Sequence, residues 1–347
     1  MQNITIGNRT IGEAHVPFII AEMSGNHNQS LERAMELVDA AAAAGAHALK
    51  LQTYTADTIT VKGACIIHDE KSLWNGEELY DLYNQSYTPW EWHKSIFDRA
   101  KEKGMLAFSS PFDISSVDFL ESLDVPAYKI ASFENTDWTL LKRVAQTKKP
   151  IIMSTGVSNI SDIDESLRLL RSLGCKDIII LKCTSTYPAT PENTNINTIP
   201  FMKGVFNCHV GLSDHTMGVG VSVAAVALGA RVIEKHFTLS RADGGVDAAF
   251  SLEPAELKLL VEETERAFLS LGKVQLGIQP VEEKSRQFKR SLFLIKDIKV
   301  GEVFSEKHIR SFRPAIGVET KYFDQIVGRT AKSDLKAGTP ITWNILS

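Results

Sequence analysis

Eight short apolar runs, most of them separated by an amphipathic stretch, recur from residue 17 to about residue 271 of the chain. They are residues 17–23, 47–54, 105–112, 127–133, 150–156, 177–185, 206–215 and 232–238. Strands that alternate with helices form parallel sheets. Eight such units over about 255 residues predict an α/β fold of the closed (β/α)8, or TIM-barrel, type, which usually takes about 250 residues.

The stretches between the runs carry the spacing of amphipathic helices. Leu31, Met35 and Val38 lie on one helical face, and that pattern ends at Gly45. The connection between the sixth and seventh runs is the exception, because prolines interrupt it at positions 188, 191 and 200. A doubly wound open sheet is the alternative, but no G-x-G-x-x-G or Walker-type phosphate loop follows any run.

The pattern changes after residue 280, where a polar linker leads into short β-prone segments. A weak internal repeat relates residues 297–301 to residues 334–338, but two copies are too few for a solenoid. We therefore predict a catalytic barrel domain over residues 1–280 and a linker with a compact β-rich domain over residues 281–347. Two insertions, residues 55–88 and 239–253, interrupt the barrel pattern.

Composition argues against several classes of protein. The 42 acidic and 38 basic residues lack the basic excess of a nucleic-acid-binding protein. The N-terminus does not resemble a signal peptide, and the longest small-apolar run, residues 218–230, is too short to span a bilayer. Four cysteines without a C-x-x-C pair indicate free thiols in a reducing compartment. We expect a cytoplasmic protein that binds neither nucleic acid nor membrane.

Polar and charged residues gather at the end of every apolar run, whereas the beginnings of the runs are apolar. The active sites of (β/α)8 enzymes lie at the C-terminal ends of the strands. Eight polar ends therefore predict a single polar pocket at this end of the barrel. The residues concerned are Glu22, Lys50, Gln52, Ser109, Ser110, Lys129, Ser132, Ser154, Thr155, Lys182, Thr184, Ser185, Ser213, His215, Glu234 and His236.

Lys50 and Lys129 would repel each other if they met in one pocket. Two like charges 4 Å apart cost about 4 kcal/mol at an effective dielectric constant of about 20. We therefore expect the lysines to enclose an anion, a phosphate plus a carboxylate, together with serine hydroxyls. The alternative to an anion-binding role for either lysine is a surface position, in which the aliphatic part of the side chain covers apolar surface and the ammonium group stays in water. The serines are Ser110, Ser132, Ser154 and Ser213.

His215 and His236 end consecutive strands of the predicted barrel. Neighbouring strands lie about 4.8 Å apart, so both imidazoles can reach one metal ion. Two histidine ligands leave positions open for water and substrate, which is typical of a catalytic site. Hydrogen-bonded core histidines are the alternative, and His27 and His209 are rival ligands.

Glu22 ends the first run. A carboxylate that faces lysines is expected to stay ionised and can act as a general base on water. The alternative is a purely structural ion pair with Lys50.

Several motifs occur in order over nearly the whole barrel. They are Ile20-Ala21-Glu22, Asn26-His27-Asn28, Lys50-Leu51-Gln52-Thr53, Ser109-Ser110-Pro111-Phe112, Tyr128-Lys129-Ile130-Ala131-Ser132, Ser154-Thr155-Gly156, Gly211-Leu212-Ser213-Asp214-His215-Thr216 and Glu234-Lys235-His236-Phe237-Thr238. Together they resemble the nonulosonic acid (sialic acid) synthases, and the C-terminal segment resembles the antifreeze-like (SAF) domain of that family. The pseudaminic acid branch of the family is indicated by Leu73-Trp74-Asn75-Gly76-Glu77-Glu78-Leu79-Tyr80, Thr88-Pro89-Trp90-Glu91-Trp92-His93 and His27-Asn28-Gln29.

The resemblance implies a transferase that joins phosphoenolpyruvate to the open-chain aldehyde of an acetamido sugar and releases phosphate. It implies that His215 and His236 bind Mn²⁺, with Mg²⁺ or Co²⁺ as alternatives, and we expect Glu22 to act with them in catalysis. Phosphoenolpyruvate would be held by Lys50, Ser110, Lys129, Ser132, Ser154, Ser185 and Ser213. The sugar would contact Gln52, Asn75, Glu134, Tyr187, Asp247 and Arg313.

Two implications of the resemblance concern single residues. Arg313 would reach from the SAF domain into the barrel of a partner subunit, which implies a domain-swapped homodimer. Ser185 stands where the sialic acid synthases carry Asn, although its hydroxyl can still bind a phosphate oxygen.

The predicted reaction is the metal-dependent condensation of phosphoenolpyruvate with 2,4-diacetamido-2,4,6-trideoxy-L-altrose. The nearest alternative is the same reaction with the sugar of sialic or legionaminic acid. A second alternative is an aldolase that forms a Schiff base through Lys129 or Lys182. The third is a non-catalytic sugar or ice binder built around the SAF-like segment.

Overall fold

The computed structural model describes residues 1–69 and 74–347, so the first residue of the motif at 73–80, Leu73, lies outside the described residues. The described chain forms two compact units, Met1–Gly272 and Lys273–Ser347. In these ranges we find no helix with both the length and the apolar content needed to cross a membrane.

The first unit begins with a short antiparallel hairpin, β1 (Ile4–Ile6) and β2 (Arg9–Ile11). Ile4, Ile6 and Ile11 are buried in the same apolar cluster as the barrel. The hairpin was not predicted because strands of three residues are too short to show a period of two.

Eight strands of the described residues then form a closed parallel barrel, which confirms the predicted fold class. They are β3 (Phe18–Glu22), β4 (Ala48–Thr53), β5 (Leu106–Pro111), β6 (Tyr128–Ile130), β7 (Ile151–Ser154), β8 (Ile178–Cys183), β9 (His209–Ser213) and β10 (Val232–His236). Each strand pairs with the next along the chain, and β10 closes the ring against β3. Each strand lies within one of the eight apolar runs.

Helices connect the strands and surround the barrel. They are α1 (Leu31–Ala43), α2 (Ala56–Ile59), α3 (Leu79–Ser86), α4 (Trp90–Glu102), α5 (Ile114–Ser122), α6 (Trp138–Gln146), α7 (Ile160–Ser172), α8 (Pro191–Thr194), α9 (Thr198–Phe206), α10 (Gly220–Ala227) and α11 (Pro254–Leu271). Polar side chains before four of the longer helices accept hydrogen bonds from backbone N–H groups of the first turn, which fixes where those helices begin. These N-cap residues are Ser30, Asp113, Asp137 and Asn159.

The connection from β8 to β9 holds two of these helices, α8 and α9, although its prolines had obscured any helical pattern. Pro191 and Pro200 both lie in the first turn of their helix. Backbone N–H groups in a first turn form no hydrogen bond within the helix, so a proline there breaks none. Asn195 and Asn207 then end α8 and α9 in the left-handed region, which asparagine tolerates better than most residues.

The barrel strands are buried on both faces, as expected for a parallel sheet covered by helices. All residues of β3 and of β6 to β10 are buried. Leu37 of α1 and Leu170 of α7 are among the helical side chains that complete this core. Burial of one such side chain contributes about 1.5–3 kcal/mol. At the C-terminal ends of the strands, polar residues replace the apolar residues of the core. The candidate site lies at this boundary.

The second unit contains the antiparallel pair β11 (Ser291–Leu294) and β12 (Ile309–Phe312), followed by the short helix α12 (Phe323–Ile326). Its own apolar core includes Leu292, Phe304 and Ile341.

The weak sequence repeat corresponds to a reciprocal contact in this unit. Lys299 Nζ lies 2.9 Å from Asp334 Oδ2, and Lys336 Nζ lies 2.7 Å from Asp297 Oδ2. Each aspartate also accepts a hydrogen bond from a backbone N–H of the other copy. The repeat therefore joins two similar turns rather than building a longer array.

Candidate active site

The strand register brings the polar strand ends to one level of the barrel. His236 at the end of β10 pairs with Glu22 at the end of β3, and Glu22 pairs with Lys50 on β4. Further along β4, Gln52 pairs with Ser110 on β5. Residues from distant parts of the chain thus meet at one end of the barrel.

Two buried carboxylates, Glu22 and Glu234, neutralise the two lysines. Lys50 Nζ forms an ion pair with Glu22. Glu234 Oε1 contacts both lysines: it lies 3.6 Å from Lys50 Nζ and 3.3 Å from Lys129 Nζ. All four side chains are at most 5% exposed. Repulsion between the lysines therefore does not by itself require a bound anion, contrary to the reasoning from sequence. Glu234, which contacts both lysines, was predicted only as one of the polar strand-end residues and was assigned no role.

The two carboxyl groups are perturbed in opposite directions. Burial raises the pKa of Glu22, because its complete removal from water outweighs the attraction of Lys50. Burial acts in the same sense on Glu234, but Lys129 and Lys50 together hold its pKa below the ordinary value. Glu234 is therefore the firmly ionised partner of the lysines. The prediction that Glu22 stays ionised took into account only the attraction of the lysines, whereas burial favours the neutral form of the carboxyl group.

Two serines extend the charged cluster. Ser110 Oγ accepts a hydrogen bond from Lys50 Nζ at 3.3 Å, and Ser213 Oγ donates one to Glu234 Oε1 at 3.4 Å. Both hydroxyls are buried beside the groups that the sequence assigned to an anion site.

Hydroxyl groups from two strand ends lie close to the backbone of Gly156, and that of Ser154 belongs to the strand just before it. Ser132 Oγ accepts a hydrogen bond from Gly156 N at 3.1 Å. A Cβ atom at position 156 would overlap the hydroxyls of Ser132 and Ser185, so the close approach requires glycine. Ser154 Oγ is buried and has no hydrogen-bond partner in the described parts of the chain. Hydroxyls and backbone N–H groups grouped in this way can bind phosphate oxygens.

His215 and His236 lie side by side, with ring centroids 5.3 Å apart. His215 Nδ1 is 2.9 Å from the carbonyl oxygen of Thr184, an arrangement that assigns the proton to Nδ1 and leaves the lone pair on Nε2. His236 Nδ1 is buried, finds no hydrogen-bond partner among the residues that the structure describes, and lies 3.5 Å from Asp247 Oδ2. Burial and the nearby cations hold the pKa of His236 well below its ordinary value. Its imidazole is therefore in the neutral form that binds metals.

This donor set fits a divalent ion held by two protein ligands. The unsatisfied His236 nitrogen is an available donor, whereas the ring of His215, oriented by Thr184, also hydrogen-bonds Cys183, and a metal ion would have to displace that bond. Over residues 1–69 and 74–347, no group of three or more His, Cys, Asp and Glu side chains has the arrangement of a metal site. The remaining positions of an ion would thus fall to water and substrate, as in catalytic metal sites.

The two rival histidines have structural partners. His27 Nε2 lies 3.0 Å from Thr88 Oγ1, and its Nδ1 accepts a hydrogen bond from Gln29 N at 3.1 Å. Burial lowers the pKa of His27 to about 4. His209 is the first residue of β9, at the opposite end of that strand from the site, and its Nε2 lies 2.8 Å from the backbone oxygen of Gln2.

A cavity of about 330 Å³ opens beside the histidine pair. Its wall includes His236 and four of the residues predicted to meet the sugar: Gln52, Glu134, Tyr187 and Asp247. Most of the rest is apolar, and much of it comes from the two insertions, with Ile59, Ile67, Trp74, Leu79, Leu82, Tyr83 and Val246. The insertions therefore shape the pocket, a role that the sequence had not revealed for most of these side chains.

The polar members of the cavity wall differ in their surroundings. Burial raises the pKa of Glu134 to about 7, and its Oε2 has no hydrogen-bond partner within the described ranges. The Tyr187 ring lies 4.5 Å from the ring of His215, centroid to centroid. Asp247 accepts a hydrogen bond from Ser24 Oγ, although burial raises its pKa. Glu134 is the group most free to bind a ligand.

Two of the residues predicted to contact the sugar, Asn75 and Arg313, do not line this cavity. Asn75 is exposed, and its Oδ1 accepts a hydrogen bond from Asp69 N at 3.0 Å. Its neighbour Trp74 lines the cavity instead and donates from Nε1 to the Val246 oxygen at 3.3 Å. Arg313 belongs to the second unit, where it is exposed directly after β12. The contacts of Asn75 and Arg313 with a sugar stay predictions.

Cys183 is a site residue that the sequence analysis treated only as a buried thiol. It ends β8, pairs in register with Ser213 on β9, and places Sγ 3.6 Å from Ser185 Oγ. Burial opposes formation of the thiolate, but the hydrogen bond with His215 lowers the pKa of Cys183 to about 6. Its position at a strand end was the signal that could have identified it.

A second, larger hollow of about 610 Å³ lies between the N-terminal end of α7 and α9. Lys182, one of the two lysines considered for a Schiff base, lines this hollow together with Ile160 and Phe201. Its Nζ donates to the Cys183 carbonyl oxygen at 3.2 Å. Lys182 lines this second hollow and does not line the 330 Å³ cavity beside the histidines.

The fold and the site define a (β/α)8-barrel enzyme. Its strand ends carry the lysine–carboxylate cluster, the histidine pair and the hydroxyls of Ser132, Ser154 and Ser185, here called the hydroxyl cradle. A family model described as the NeuB family matches residues 37–276, and one described as the SAF domain matches residues 289–346. The chain belongs to the NeuB family. This confirms the resemblance that the barrel motifs and the C-terminal segment had indicated.

Curated relatives are similar over nearly the whole chain. Pseudaminic acid synthase of Campylobacter jejuni is 44% identical over 324 residues, which cover 92% of this chain and 94% of the relative. Pseudaminic acid synthase of Helicobacter pylori is 41% identical over 330 residues, 94% and 96% of the two chains. N,N′-diacetyllegionaminic acid synthase of C. jejuni is 37% identical over 322 residues, 92% and 96%. The chain is therefore an enzyme, a transferase of the sialic acid synthase type.

Solved structures agree with this assignment. N-acetylneuraminic acid synthetase of Leptospira borgpetersenii superposes with a TM-score of 0.74 at 32% identity, covering 82% of this chain and 95% of that one. The spore coat polysaccharide biosynthesis protein SpsE of Bacillus subtilis gives a TM-score of 0.69 at 34% identity, covering 100% and 99%.

Proposed function

We propose that this enzyme is a pseudaminic acid synthase, which condenses phosphoenolpyruvate with 2,4-diacetamido-2,4,6-trideoxy-L-altrose and releases phosphate. The observation that carries the proposal is the convergence of Lys50, Lys129 and the pair His215 and His236 at one level of the barrel, beside a largely apolar cavity. Similarity to synthases named for pseudaminic acid supports the choice of sugar.

Phosphoenolpyruvate binds between the lysines and the hydroxyl cradle. Lys50 and Lys129 provide charge for its phosphate and carboxylate groups, and Ser132, Ser154 and Ser185 donate hydrogen bonds around Gly156. Because these groups sit on strand ends of a packed barrel, they are held in place before the substrate arrives. Much of the acceleration therefore comes from positioning and fixed charge.

The acetamido sugar occupies the neighbouring cavity. Apolar side chains such as Leu79 and Leu82 face its methyl groups, whereas Gln52 and Glu134 bind its polar groups. The cavity adjoins His236, so the aldehyde end of the open-chain sugar reaches the histidine pair. A divalent ion held by His215 and His236 supplies Lewis-acid polarisation of the aldehyde oxygen when it is bound.

The bond changes follow from this placement. The methylene carbon of phosphoenolpyruvate forms a bond to the aldehyde carbon, and positive charge develops at the carbon that carries the phosphate. Water adds to that carbon while Glu22 accepts its proton, which then passes to the alkoxide left on the former aldehyde carbon. The carbon–oxygen bond to phosphate breaks as the new hydroxyl gives its proton to the departing phosphate, which leaves the ketone and inorganic phosphate. Burial raises the pKa of Glu22, which makes its carboxylate a stronger base than an exposed one.

An assay with a panel of sugars tests the proposal. Phosphate release from phosphoenolpyruvate is measured with 2,4-diacetamido-2,4,6-trideoxy-L-altrose, with N-acetylmannosamine and with the legionaminic acid precursor. The altrose derivative is expected to give the highest kcat/KM. A preference for either other sugar would favour the alternative, a sialic or legionaminic acid synthase, for which the relative at 37% identity is the supporting comparison.

Borohydride trapping separates the synthase from a Schiff-base aldolase. Lys129 Nζ has Glu234 as an ion-pair partner, and Lys182 lies outside the wall of the cavity. Incubation with pyruvate and borohydride is therefore expected to leave the mass of the protein unchanged. A covalent adduct on either lysine would contradict the synthase mechanism.

A further inference from the structure

Lys235 and Asp214 form a completely buried ion pair next to the two site histidines in sequence. Lys235 Nζ lies 3.0 Å from Asp214 Oδ2, and both side chains are 0% exposed. Lys235 stands between Glu234 and His236 on β10, so alternation places it on the opposite face of the strand from the pocket. The pair is thus part of the packing layer between the strands and α10, where Ser222 contacts it.

The ammonium group of Lys235 contacts both residues that flank His215. Besides Asp214, it donates a hydrogen bond to the Thr216 carbonyl oxygen at 2.6 Å. Asp214 in turn binds the same short turn, since its Oδ1 accepts from Thr216 N at 2.9 Å and from Thr216 Oγ1 at 2.7 Å. The strand that ends in His236 is therefore fastened to both residues that flank His215, through the side chain of Asp214 and the backbone of Thr216.

Stability alone gives a weak reason for this arrangement. A buried ion pair often contributes no more to stability than apolar side chains of similar volume would, because both charges lose their hydration. Here the polar groups are satisfied, with Ser222 Oγ donating to Asp214 Oδ2 at 2.6 Å. What the pair provides, beyond packing, is a fixed relation between two strand ends.

We infer that Lys235 and Asp214 are positioning residues that set the spacing of His215 and His236 for a divalent metal ion. The inference rests on the metal assignment in the proposed function. Groups that orient metal ligands without touching the ion typically change metal affinity by about 10–100-fold when they are removed. We expect a loss in this range when the pair is removed.

The test measures Mn²⁺ binding to the full-length protein without substrate. Free Mn²⁺ is quantified by its electron paramagnetic resonance signal during a titration of wild type and of the double variant D214N/K235M. The double variant removes both charges together, so no unpaired ion is left buried, and the amide oxygen introduced at position 214 can still accept the bonds from Thr216. Circular dichroism and thermal unfolding check that the barrel is retained.

S222A is the matched control because it removes a hydrogen bond from the same aspartate but leaves the contacts of Lys235 intact. We expect a Kd for Mn²⁺ raised about 10–100-fold in D214N/K235M and within about twofold of wild type in S222A. An unchanged Kd in the folded double variant, or an equal loss in S222A, would overturn the inference. If the double variant does not fold, D214N replaces it; Lys235 there loses its counter-ion but keeps its hydrogen bond to the Thr216 oxygen, so its fold is checked in the same way. Wild type that binds no Mn²⁺ would instead refute the metal assignment itself.

Discussion

Glu234 Oε1 lies 3.3 Å from Lys129 Nζ in a layer where both side chains are at most 5% exposed. A buried charge left without its partner is strongly destabilising, so the carboxylate explains how lysines can persist at this depth. The same carboxylate also keeps the lysines in place at the point where a phosphate and a carboxylate of the substrate would bind. In the proposed function, the charged cluster is thus both a structural element and a binding site.

Replacement of Glu22 by glutamine tests its role as the base. E22Q keeps the shape and removes the proton acceptor, so we expect kcat to fall by about 10²–10⁴-fold. The Kd for phosphoenolpyruvate, measured by calorimetry, should change by less than about threefold because the lysines and serines remain. A variant with near-normal kcat would remove Glu22 from this role.

Replacement of Gly156 by alanine tests the hydroxyl cradle. The added Cβ would overlap the hydroxyls of Ser132 and Ser185, so G156A should raise the KM for phosphoenolpyruvate by at least about tenfold. G204A is the matched control, since a Cβ at Gly204 in α9 meets no atom within 4 Å. Similar KM values for G156A and wild type would show that phosphate does not bind in the cradle.

Replacement of His236 by alanine tests the metal assignment. H236A should lose activity that depends on added Mn²⁺, whereas H209N, which changes a buried histidine at the other end of the barrel, should keep it. Dialysis of wild type against a chelator should abolish turnover, and Mn²⁺ should restore it. Full activity after chelation would show that the histidine pair works without an ion.

The raised pKa of Glu134 predicts a pH dependence of stability. Between about pH 4.5 and about pH 7 the folded protein holds a proton on Glu134 that the unfolded chain has released. The stability contributed by this proton is complete below that window and is lost as the pH rises through it. Relative to wild type, E134Q should therefore gain on the order of 2 kcal/mol as the pH is raised.

Urea unfolding at about pH 5 and about pH 7.5 measures this difference. E91Q, which removes an exposed carboxyl group in α4, is the control and should follow wild type at both pH values. A constant offset between E134Q and wild type would contradict the raised pKa.

A mixing experiment tests the predicted role of Arg313 in a domain-swapped dimer. R313A and E22Q are each expected to be nearly inactive, but a heterodimer with the arginine acting in the partner's barrel has one intact site. Random assembly should then restore about a quarter of wild-type activity. No recovery, in a sample shown to contain heterodimers, would contradict action across subunits.

The barrel could be predicted from sequence because its strands are buried on both faces and appear as continuous apolar runs. The strand ends could be predicted as well, since Glu22 and His236 are polar residues that end β3 and β10. The hairpin β1–β2 was missed because its strands are short, and α8 and α9 were missed because prolines in a first helical turn look like breaks.

The balance of charge within the site could not be predicted from the sequence. Glu234 was visible as a strand-end residue, but its contact with both lysines depends on side-chain packing across the barrel. The wall of the cavity could not be predicted either. Trp74 and Val246 contact each other across the two insertions, which appear in the sequence only as interruptions of the strand–helix alternation. Long-range contacts between irregular segments leave no periodic signal in the sequence.

The most direct measurement is anomalous diffraction from crystals soaked with Mn²⁺ and phosphoenolpyruvate. We expect one Mn²⁺ peak between His215 and His236, with the phosphate bound among Ser132, Ser154 and Ser185. Mn²⁺ elsewhere, or phosphoenolpyruvate bound away from Lys50 and Lys129, would contradict it.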